Sequence, residues 1–191
     1  LILQVTNGCS WNNCTFCEMY TQPQKAFRPK PQAETDRELA EIAASSVPVR
    51  RVFLADGDAM TLSYRRLRLI MTSINKHLPD VQRVSSYCLP RNIKNKSIGE
   101  LAALRELGLS LYYVGCESGD DLVLERVNKG ENFASSLAAL EKIKAAGSKS
   151  SVMILNGLGG RDRKSVGQGK RGDLGGRRTI TKKNNNSHAH R

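Results

Sequence analysis

Hydrophobic positions along the chain alternate between short apolar runs and longer stretches with helical spacing. The apolar runs cover residues 1–5, 51–55, 82–87, 110–115 and 150–155. Short runs that alternate with helical stretches are typical of βα units around a parallel sheet. Strands of such a sheet are usually covered on both faces, which explains why these runs are largely apolar. The first 160 residues are therefore predicted to form one α/β unit.

The helical stretches carry apolar side chains that recur every three or four positions. One stripe consists of Leu67, Ile70, Met71, Ile74 and Leu78. A stripe of this kind packs against a core and carries no chemistry of its own.

Helix starts and ends are also visible in the sequence. Thr35 and Ser97 are each followed three positions later by a glutamate, which is the capping-box pattern of a helix start. Gly108 and Gly147 follow later apolar stripes and are predicted to end those helices.

The periodicity leaves two architectures open, a doubly wound sheet and part of a barrel. In both, functional side chains gather at the carboxyl ends of the parallel strands. The polar and glycine residues that follow each predicted strand are therefore the candidates for a site.

Most of the net charge of +12 lies near the C-terminus. Residues 161–191 hold ten of the 30 Lys and Arg and two of the 18 Asp and Glu, so the first 160 residues carry 20 basic and 16 acidic side chains, a net charge of +4. That excess is too small to support a nucleic-acid partner.

Residues 161–191 have no apolar period and are expected to form a disordered basic tail. Residues 162–166 and 173–178 resemble the translation of a sequencing-library adapter, so we also expect this tail to be non-native sequence.

No run of about 18 apolar residues occurs, which predicts that the chain does not span a membrane. The chain starts inside an apolar run and without a methionine, so we expect native sequence before Leu1.

Three of the five cysteines, Cys9, Cys14 and Cys17, lie in one loop directly after the first predicted strand. This odd and clustered set argues against a secreted disulfide scaffold and favours a reduced, cytoplasmic protein. Thiolates at this spacing can surround a single iron–sulfur cluster. Three ligands leave one iron of a [4Fe–4S] cluster open, and a reacting molecule needs such an open position.

Three other interpretations of this loop make different predictions. A plant-type [2Fe–2S] ferredoxin shares the C-x4-C-x2-C spacing but needs a fourth cysteine, and the next one, Cys88, lies 71 positions after Cys17. A structural zinc site needs a further Cys or His close by. The histidines are His77, His188 and His190. Three unrelated buried cysteines would be unusual in a loop this rich in Asn, Ser and Thr.

With this loop after a first strand and βα repeats behind it, the chain resembles the radical S-adenosylmethionine (SAM) superfamily over residues 1–160. The commonest spacing there is C-x3-C-x2-C, so the gap between Cys9 and Cys14 is one residue longer, as in some subgroups. Residues 56–58, Asp-Gly-Asp, stand where that family has a Gly-Gly-Glu motif. Residues 115–121 and 127–130 resemble a stretch shared by the Elongator catalytic subunit, tRNA methylthiotransferases and oxygen-independent coproporphyrinogen oxidase.

The resemblance implies a cofactor site. Cys9, Cys14 and Cys17 are implied to hold a [4Fe–4S] cluster. The residues implied to bind SAM are Phe16, Asp56, Gly57, Asp58, Glu117, Gly119 and Lys129.

Individual roles follow from the same resemblance. Asp58 takes the methionine amino group, Lys129 pairs with the methionine carboxylate, and Glu117 reaches the ribose. Phe16 matches an aromatic position near the adenine. The chain departs from its relatives at Tyr87 and Met153, where some of them carry acids, so the ribose contacts stay open. Cys88 and Cys116 are interpreted as small buried strand residues.

The implied fold is a partial TIM-type (β/α)6 barrel, truncated after about five strands. The implied activity is that of a radical SAM enzyme, which generates a 5′-deoxyadenosyl radical and acts on an unidentified substrate. A flavodoxin- or ferredoxin-type electron donor is its expected partner. Two alternatives remain, a non-enzymatic iron–sulfur electron-transfer protein and an inactive truncated remnant of such an enzyme.

Overall fold

The computed structural model describes residues 1–45 and 47–160, so the expected tail at residues 161–191 lies outside the described residues. The strands within them are β1 (Ile2–Gln4), β2 (Thr6–Asn7), β3 (Arg28–Pro29), β4 (Arg51–Ala55), β5 (Arg83–Cys88), β6 (Leu109–Glu117) and β7 (Lys149–Ile154). The α-helices are α1 (Gln32–Ala44), α2 (Tyr64–His77), α3 (Pro90–Lys94), α4 (Ile98–Glu106), α5 (Asp121–Arg126) and α6 (Phe133–Ala145). Two 3-10 helices cover Pro23–Lys25 and Ala59–Thr61.

Five of these strands form one parallel sheet in the order β1-β4-β5-β6-β7. They are the five strands that the apolar runs predict, and each predicted end lies within two residues of the observed one. The short strands β2 and β3 form a separate antiparallel pair. The predicted α/β class with a parallel sheet is confirmed.

The strand order distinguishes between the two architectures that periodicity leaves open. A doubly wound sheet reverses its strand order at a switch point, whereas a barrel adds strands in sequence. Here the five strands follow one another in chain order without a reversal. The described residues therefore form a segment of a TIM-type barrel.

One hydrophobic core lies between the sheet and the helices. Alternate strand residues such as Leu54, Val84 and Val114 are buried together with helix residues such as Ile70 and Leu104. The predicted stripe on α2 is buried in this core.

The opposite face of the sheet carries three aromatic side chains that contact one another, Phe53, Tyr87 and Tyr113. Tyr87 is 44% exposed and Ile2 on β1 is 76% exposed. The apolar runs predict a sheet that is covered on both faces. Within the described residues, only the face that packs against the helices is covered. In a barrel this second face is the interior.

The two predicted helix starts have different outcomes. Ser97 and Glu100 form the expected capping box at the start of α4. The prediction for Thr35 is wrong, because α1 begins three residues earlier, at Gln32. Pro31 has a fixed φ of −56° and precedes the first helical residue, so the chain enters the helix there and Thr35 lies buried inside it.

None of the helices in the described residues combines the length and the apolarity that crossing a membrane requires.

Candidate functional site

Three segments meet at the carboxyl ends of the sheet strands. They are the cysteine loop (residues 8–17), the acidic turn (residues 56–58) after β4, and the lysine turn (residues 127–130) after α5. The backbone N–H of Thr15 in the cysteine loop donates to the carbonyl of Val127 in the lysine turn at 3.0 Å. This edge is where sequence patterns place a site, since parallel strands end together there.

The cysteine loop presents three half-buried free thiols, Cys9, Cys14 and Cys17. The N–H of Cys17 donates to the carbonyl of Cys14 at 3.2 Å, which turns the chain between these two cysteines. Burial raises the pKa of the Cys14 thiol, and the positive charge of Lys129 opposes that shift. In the part of the chain that the structure describes, no three His, Cys, Asp or Glu side chains are arranged to hold a metal ion. The cluster-ligand assignment of the three cysteines stays a prediction.

The acidic turn touches the cysteine loop through two glycines. Gly57 has a φ of +71°, and a Cβ added there would lie 2.0 Å from the carbonyl oxygen of Gly8. A glycine is therefore required for the two backbones to approach this closely. Gly57 is one of the residues that the resemblance implies to bind SAM, and in the structure it contacts the backbone of the cysteine loop.

The carboxylate of Asp56 is engaged by side chains that follow the cysteine loop. Tyr20 donates its hydroxyl to Oδ1 at 2.9 Å, and Lys25 donates its ammonium to Oδ2 at 3.1 Å. Burial, and then the hydrogen bond to Asp56, raise the pKa of Tyr20. Both carboxylate oxygens of Asp56 are thus used to hold residues 20–25 in place.

The carboxylate of Asp58 is buried, with 1% of the residue exposed. Its Oδ2 accepts hydrogen bonds from Ser10, from Thr61 at 2.8 Å and from Asn92 at 3.4 Å. Its Oδ1 is buried and has no hydrogen-bond partner among the described residues. A buried carboxylate oxygen without a partner is costly, so it is suited to accept from a donor that the chain does not supply.

A buried lysine lies behind the acidic turn. Lys96 is 5% exposed and donates to the carbonyls of Met60 and Asn92. Burial lowers the pKa of Lys96, and the negative charge of Asp58 acts in the opposite direction. Lys96 therefore places a positive charge near the buried carboxylate of Asp58.

Glu117 and Lys129 form a buried ion pair at 3.1 Å, with side-chain exposures of 11% and 4%. The register between β6 and β7 shifts around Cys116, and Glu117 has a φ of +63°. An irregularity of this kind re-aims a side chain at the end of a strand. The ammonium of Lys129 lies 6.0 Å from the ring centroid of Phe16. Three of the predicted SAM-binding residues are therefore brought together.

Gly119 lies two residues beyond Glu117 and is half-buried, in the bend that leads into α5. Cys88 and Cys116 are buried on β5 and β6, at 3% and 4% exposure, as predicted. Burial raises the pKa of Cys116 to about 11, which keeps this thiol protonated at neutral pH.

The sequence matches the family model described as the Radical SAM superfamily over residues 3–167. The chain belongs to the radical SAM superfamily. Members of this superfamily use a [4Fe–4S] cluster and SAM. No curated protein matches the sequence.

Solved structures of radical SAM enzymes share the fold. The cobalamin-dependent SAM radical enzyme OxsB with aqua-cobalamin bound has a TM-score of 0.68 at 19% identity, covering 81% of this chain and 23% of that one. The FeFe-hydrogenase maturase HydG from Carboxydothermus hydrogenoformans has a TM-score of 0.61 at 22% identity, covering 82% and 36%. Coproporphyrinogen III oxidase (HemN) from Escherichia coli has a TM-score of 0.58 at 15% identity, covering 81% and 36%. These likenesses support the barrel-type fold, and the chain spans 23% to 36% of the three enzymes' lengths.

Several residues of this candidate site are missing from the sequence prediction. Ser10, Thr61 and Asn92 hold Asp58, and Tyr20 and Lys25 hold Asp56. Asn92 follows Pro90 and Arg91 directly after β5, so its place at a strand end is a usable signal. The others have no signal in the sequence, since polar residues in a loop become partners only once the loop is folded.

Proposed function

We propose that the chain is the cluster- and SAM-binding core of a radical SAM enzyme that acts on an unidentified substrate. The observation that carries the proposal is the carboxylate of Asp58, whose Oδ1 is buried and unpartnered among the described residues. Asp58 sits at the end of β4 and is tied to the cysteine loop through Ser10. A cationic amine suits this oxygen because a charged donor to a carboxylate makes a strong hydrogen bond. The methionine amino group of SAM is such a donor.

In this proposal Cys9, Cys14 and Cys17 hold the cluster through their thiolates, with one iron left open. When bound and reduced, the cluster would supply the one electron that cleaves the sulfonium of SAM into methionine and the 5′-deoxyadenosyl radical. The chain's own part is to position SAM and to exclude water from it. The half-burial of the cysteines and the buried carboxylate beside them suit that part.

The remaining contacts concern the methionine carboxylate, the ribose and the adenine of SAM. Lys129 is buried and already faces one carboxylate, that of Glu117. The methionine carboxylate would add a second anionic partner to this ammonium, and the resemblance assigns Glu117 to the ribose. Phe16 lies beside Lys129 and offers a ring for the adenine, with Gly119 in the adjoining bend. The grouping with the Elongator, methylthiotransferase and coproporphyrinogen oxidase families belongs to this proposal and rests on residues 115–121 and 127–130.

Because such a site needs reduced thiols and an external electron, we also propose a cytoplasmic location and a flavodoxin- or ferredoxin-type donor.

The cluster assignment is tested by anaerobic reconstitution of the chain with iron and sulfide, followed by dithionite and SAM. The wild type is expected to bind about four irons and to release 5′-deoxyadenosine, measured by liquid chromatography and mass spectrometry. Cys9→Ala, Cys14→Ala and Cys17→Ala are expected to abolish both, since each removes one of three ligands. Cys88→Ala is the matched control, because Cys88 is a buried thiol on β5 and is expected to keep the cluster.

Two outcomes contradict the proposal in different ways. A wild-type chain that binds the cluster but releases no 5′-deoxyadenosine is not an active radical SAM core. Loss of the cluster in Cys88→Ala indicates four protein ligands and supports the electron-transfer alternative. Asp58→Asn, which keeps the shape but not the charge, is expected to retain the cluster and to weaken SAM binding about tenfold.

A further inference from the structure

Trp11 lies in the cysteine loop between Cys9 and Cys14 and reaches away from the sheet to the lysine turn. Its indole N–H donates to the carbonyl oxygen of Asn128 at 2.8 Å. The guanidinium carbon of Arg91 lies 4.0 Å from the centroid of its ring, in the range of a cation–π interaction. The indole is therefore held at its edge by the lysine turn and at its face by α3.

Arg91 is itself held by three hydrogen bonds to Gly130 and Glu131. Its Nε donates to Oε1 of Glu131 at 2.8 Å, and its backbone N–H donates to the same oxygen at 3.0 Å. Its Nη2 donates to the carbonyl of Gly130. The other oxygen of Glu131 accepts from the hydroxyl of Ser135 at 2.8 Å, and the Glu131 side chain is 4% exposed. An arginine fork that is fixed in this way has little freedom left.

Gly130 completes the arrangement. It has a φ of +68°, and an added Cβ would lie 2.3 Å from Cζ2 of Trp11 and 2.5 Å from Nη2 of Arg91. The lysine turn can therefore approach the indole and the guanidinium this closely because residue 130 has no side chain.

These contacts surround one residue of the predicted SAM site. Lys129 lies between Asn128, which accepts from Trp11, and Gly130, which accepts from Arg91. Its own side chain points the other way, to the buried carboxylate of Glu117. The backbone before Lys129 is thus bonded to Trp11 of the cysteine loop, and the backbone after it is bonded to Arg91, which stacks on Trp11.

We propose that Trp11 and Arg91 are positioning residues, which set the distance between the cluster held by the cysteine loop and the ammonium of Lys129. The inference rests on the proposed function, because SAM must reach both groups at once. A loop and a lysine that are held in register before SAM arrives bind it without a further ordering step. If Trp11 and Arg91 served only to stabilise each other, they would not need hydrogen bonds to the carbonyls on either side of Lys129.

The contact itself can be measured without any cofactor. Trp11 is the single tryptophan of the chain, so intrinsic fluorescence reports on this site directly. Arg91→Ala is expected to shift the emission to longer wavelength and to increase quenching by acrylamide, because the ring face becomes open to water. Lys94→Ala is the matched control, since Lys94 lines the cavity of about 660 Å³ beside Trp11 and Arg91 and is expected to leave the emission unchanged.

The positioning role is measured on the reconstituted and reduced cluster by titration with SAM, followed by electron paramagnetic resonance. Arg91→Ala is expected to raise the SAM concentration needed for the spectral change about tenfold, a size typical of residues that orient a metal site. Its iron content and its spectrum without SAM are expected to match the wild type. Arg91→Lys, which keeps the charge but not the fork, is expected to restore only part of the response.

Gly130→Ala serves as the second variant, in case Arg91→Ala loses the cluster. It is expected to move Trp11 and to weaken the SAM response while leaving the cysteines intact. The inference is overturned if variants that shift the emission of Trp11 keep the wild-type SAM response, or if Arg91→Ala leaves the emission unchanged. A wild-type cluster that does not respond to SAM at all overturns the proposed function, and this inference with it.

Discussion

At the scale of single residues, the site requires a glycine at position 57 as well as its polar side chains. Gly57 allows the acidic turn to lie directly on the backbone of Gly8, so Asp58 comes within reach of the cysteine loop. No side chain with a Cβ fits between these two backbones.

Gly57→Ala is predicted to lower the free energy of unfolding by about 3 kcal/mol, from a left-handed φ that alanine disfavours and from overlap with Gly8. Gly157→Ala is the matched control, because Gly157 has a φ of +85° and open space for a Cβ. We expect it to cost about 1 kcal/mol. Urea denaturation followed by circular dichroism measures both. Equal losses would show that the backbone contact contributes nothing.

The sequence points to Asp58 but not to its environment. Asp-Gly-Asp after an apolar run is visible as a strand-end turn, and it draws attention to both acids. Which of the two carries an unpartnered oxygen depends on Tyr20 and Lys25, whose side chains reach Asp56 only in the folded loop. Lys96 reaches the carbonyls of Met60 and Asn92 for the same reason, and its sequence context has no unusual feature.

At the scale of elements, identical local patterns led to different structures. Thr35 and Ser97 both stand three residues before a glutamate, but Ser97 caps α4 whereas Thr35 lies inside α1. The difference comes from Pro31, which starts the helix earlier. A capping pattern is therefore informative only where no earlier start competes with it.

Ser97→Ala is predicted to cost about 1 kcal/mol of stability, because it removes the acceptor for the N–H of Glu100. Thr35→Val is the comparison, since it keeps the buried shape and removes only a hydroxyl that donates to Pro31 at 3.5 Å. We expect a smaller change there, below about 0.5 kcal/mol, because the carbonyl of Pro31 also accepts from the backbone N–H groups of Glu34 and Thr35. Thermal unfolding of both variants gives the two stability losses. A larger loss for Thr35→Val than for Ser97→Ala would contradict the assignment of Ser97 as a helix cap and Thr35 as an interior residue.

Most of the strands were predictable because they are short, largely apolar runs that alternate with helical stretches. The final residues of β6 were not, since the register shift around Cys116 depends on pairing with β7 and leaves no trace in the sequence. That shift re-aims Glu117, so the strand was predictable and the direction of its most important side chain was not.

At the scale of the whole molecule, Glu117 and Lys129 connect the end of the sheet to the lysine turn. Their burial makes each dependent on the other, because either charge alone would remain without a partner in a poorly solvated place. Sequence patterns place both at the same edge but give no reason to pair them. The choice between a barrel segment and a doubly wound sheet was likewise settled by strand order, which no local pattern encodes.

Lys129→Met is predicted to destabilise the chain by about 3 kcal/mol, since it leaves the Glu117 carboxylate buried and unpaired. The double variant with Glu117→Gln is expected to recover most of that loss, because no charge then remains. Arg105→Met is the control, as its ion pair with Glu106 is exposed and worth less than about 1 kcal/mol. Chemical denaturation of the wild type, the single variants Lys129→Met and Glu117→Gln and the double variant gives the coupling energy, and a coupling near zero would contradict a buried pair.

The link between Trp11 and Asn128 has a consequence for biosynthesis. The two residues are 117 positions apart, and ribosomes add about 5 to 20 residues per second, so roughly 6 to 23 seconds separate their synthesis. During that interval the cysteines are on the nascent chain while the lysine turn, which holds Trp11 of their loop, does not yet exist. Iron and sulfide delivered early would meet thiols that are still free to oxidise. We therefore expect cluster insertion to follow the completion of β6 and α5, and oxygen to be most damaging while the chain is still being made.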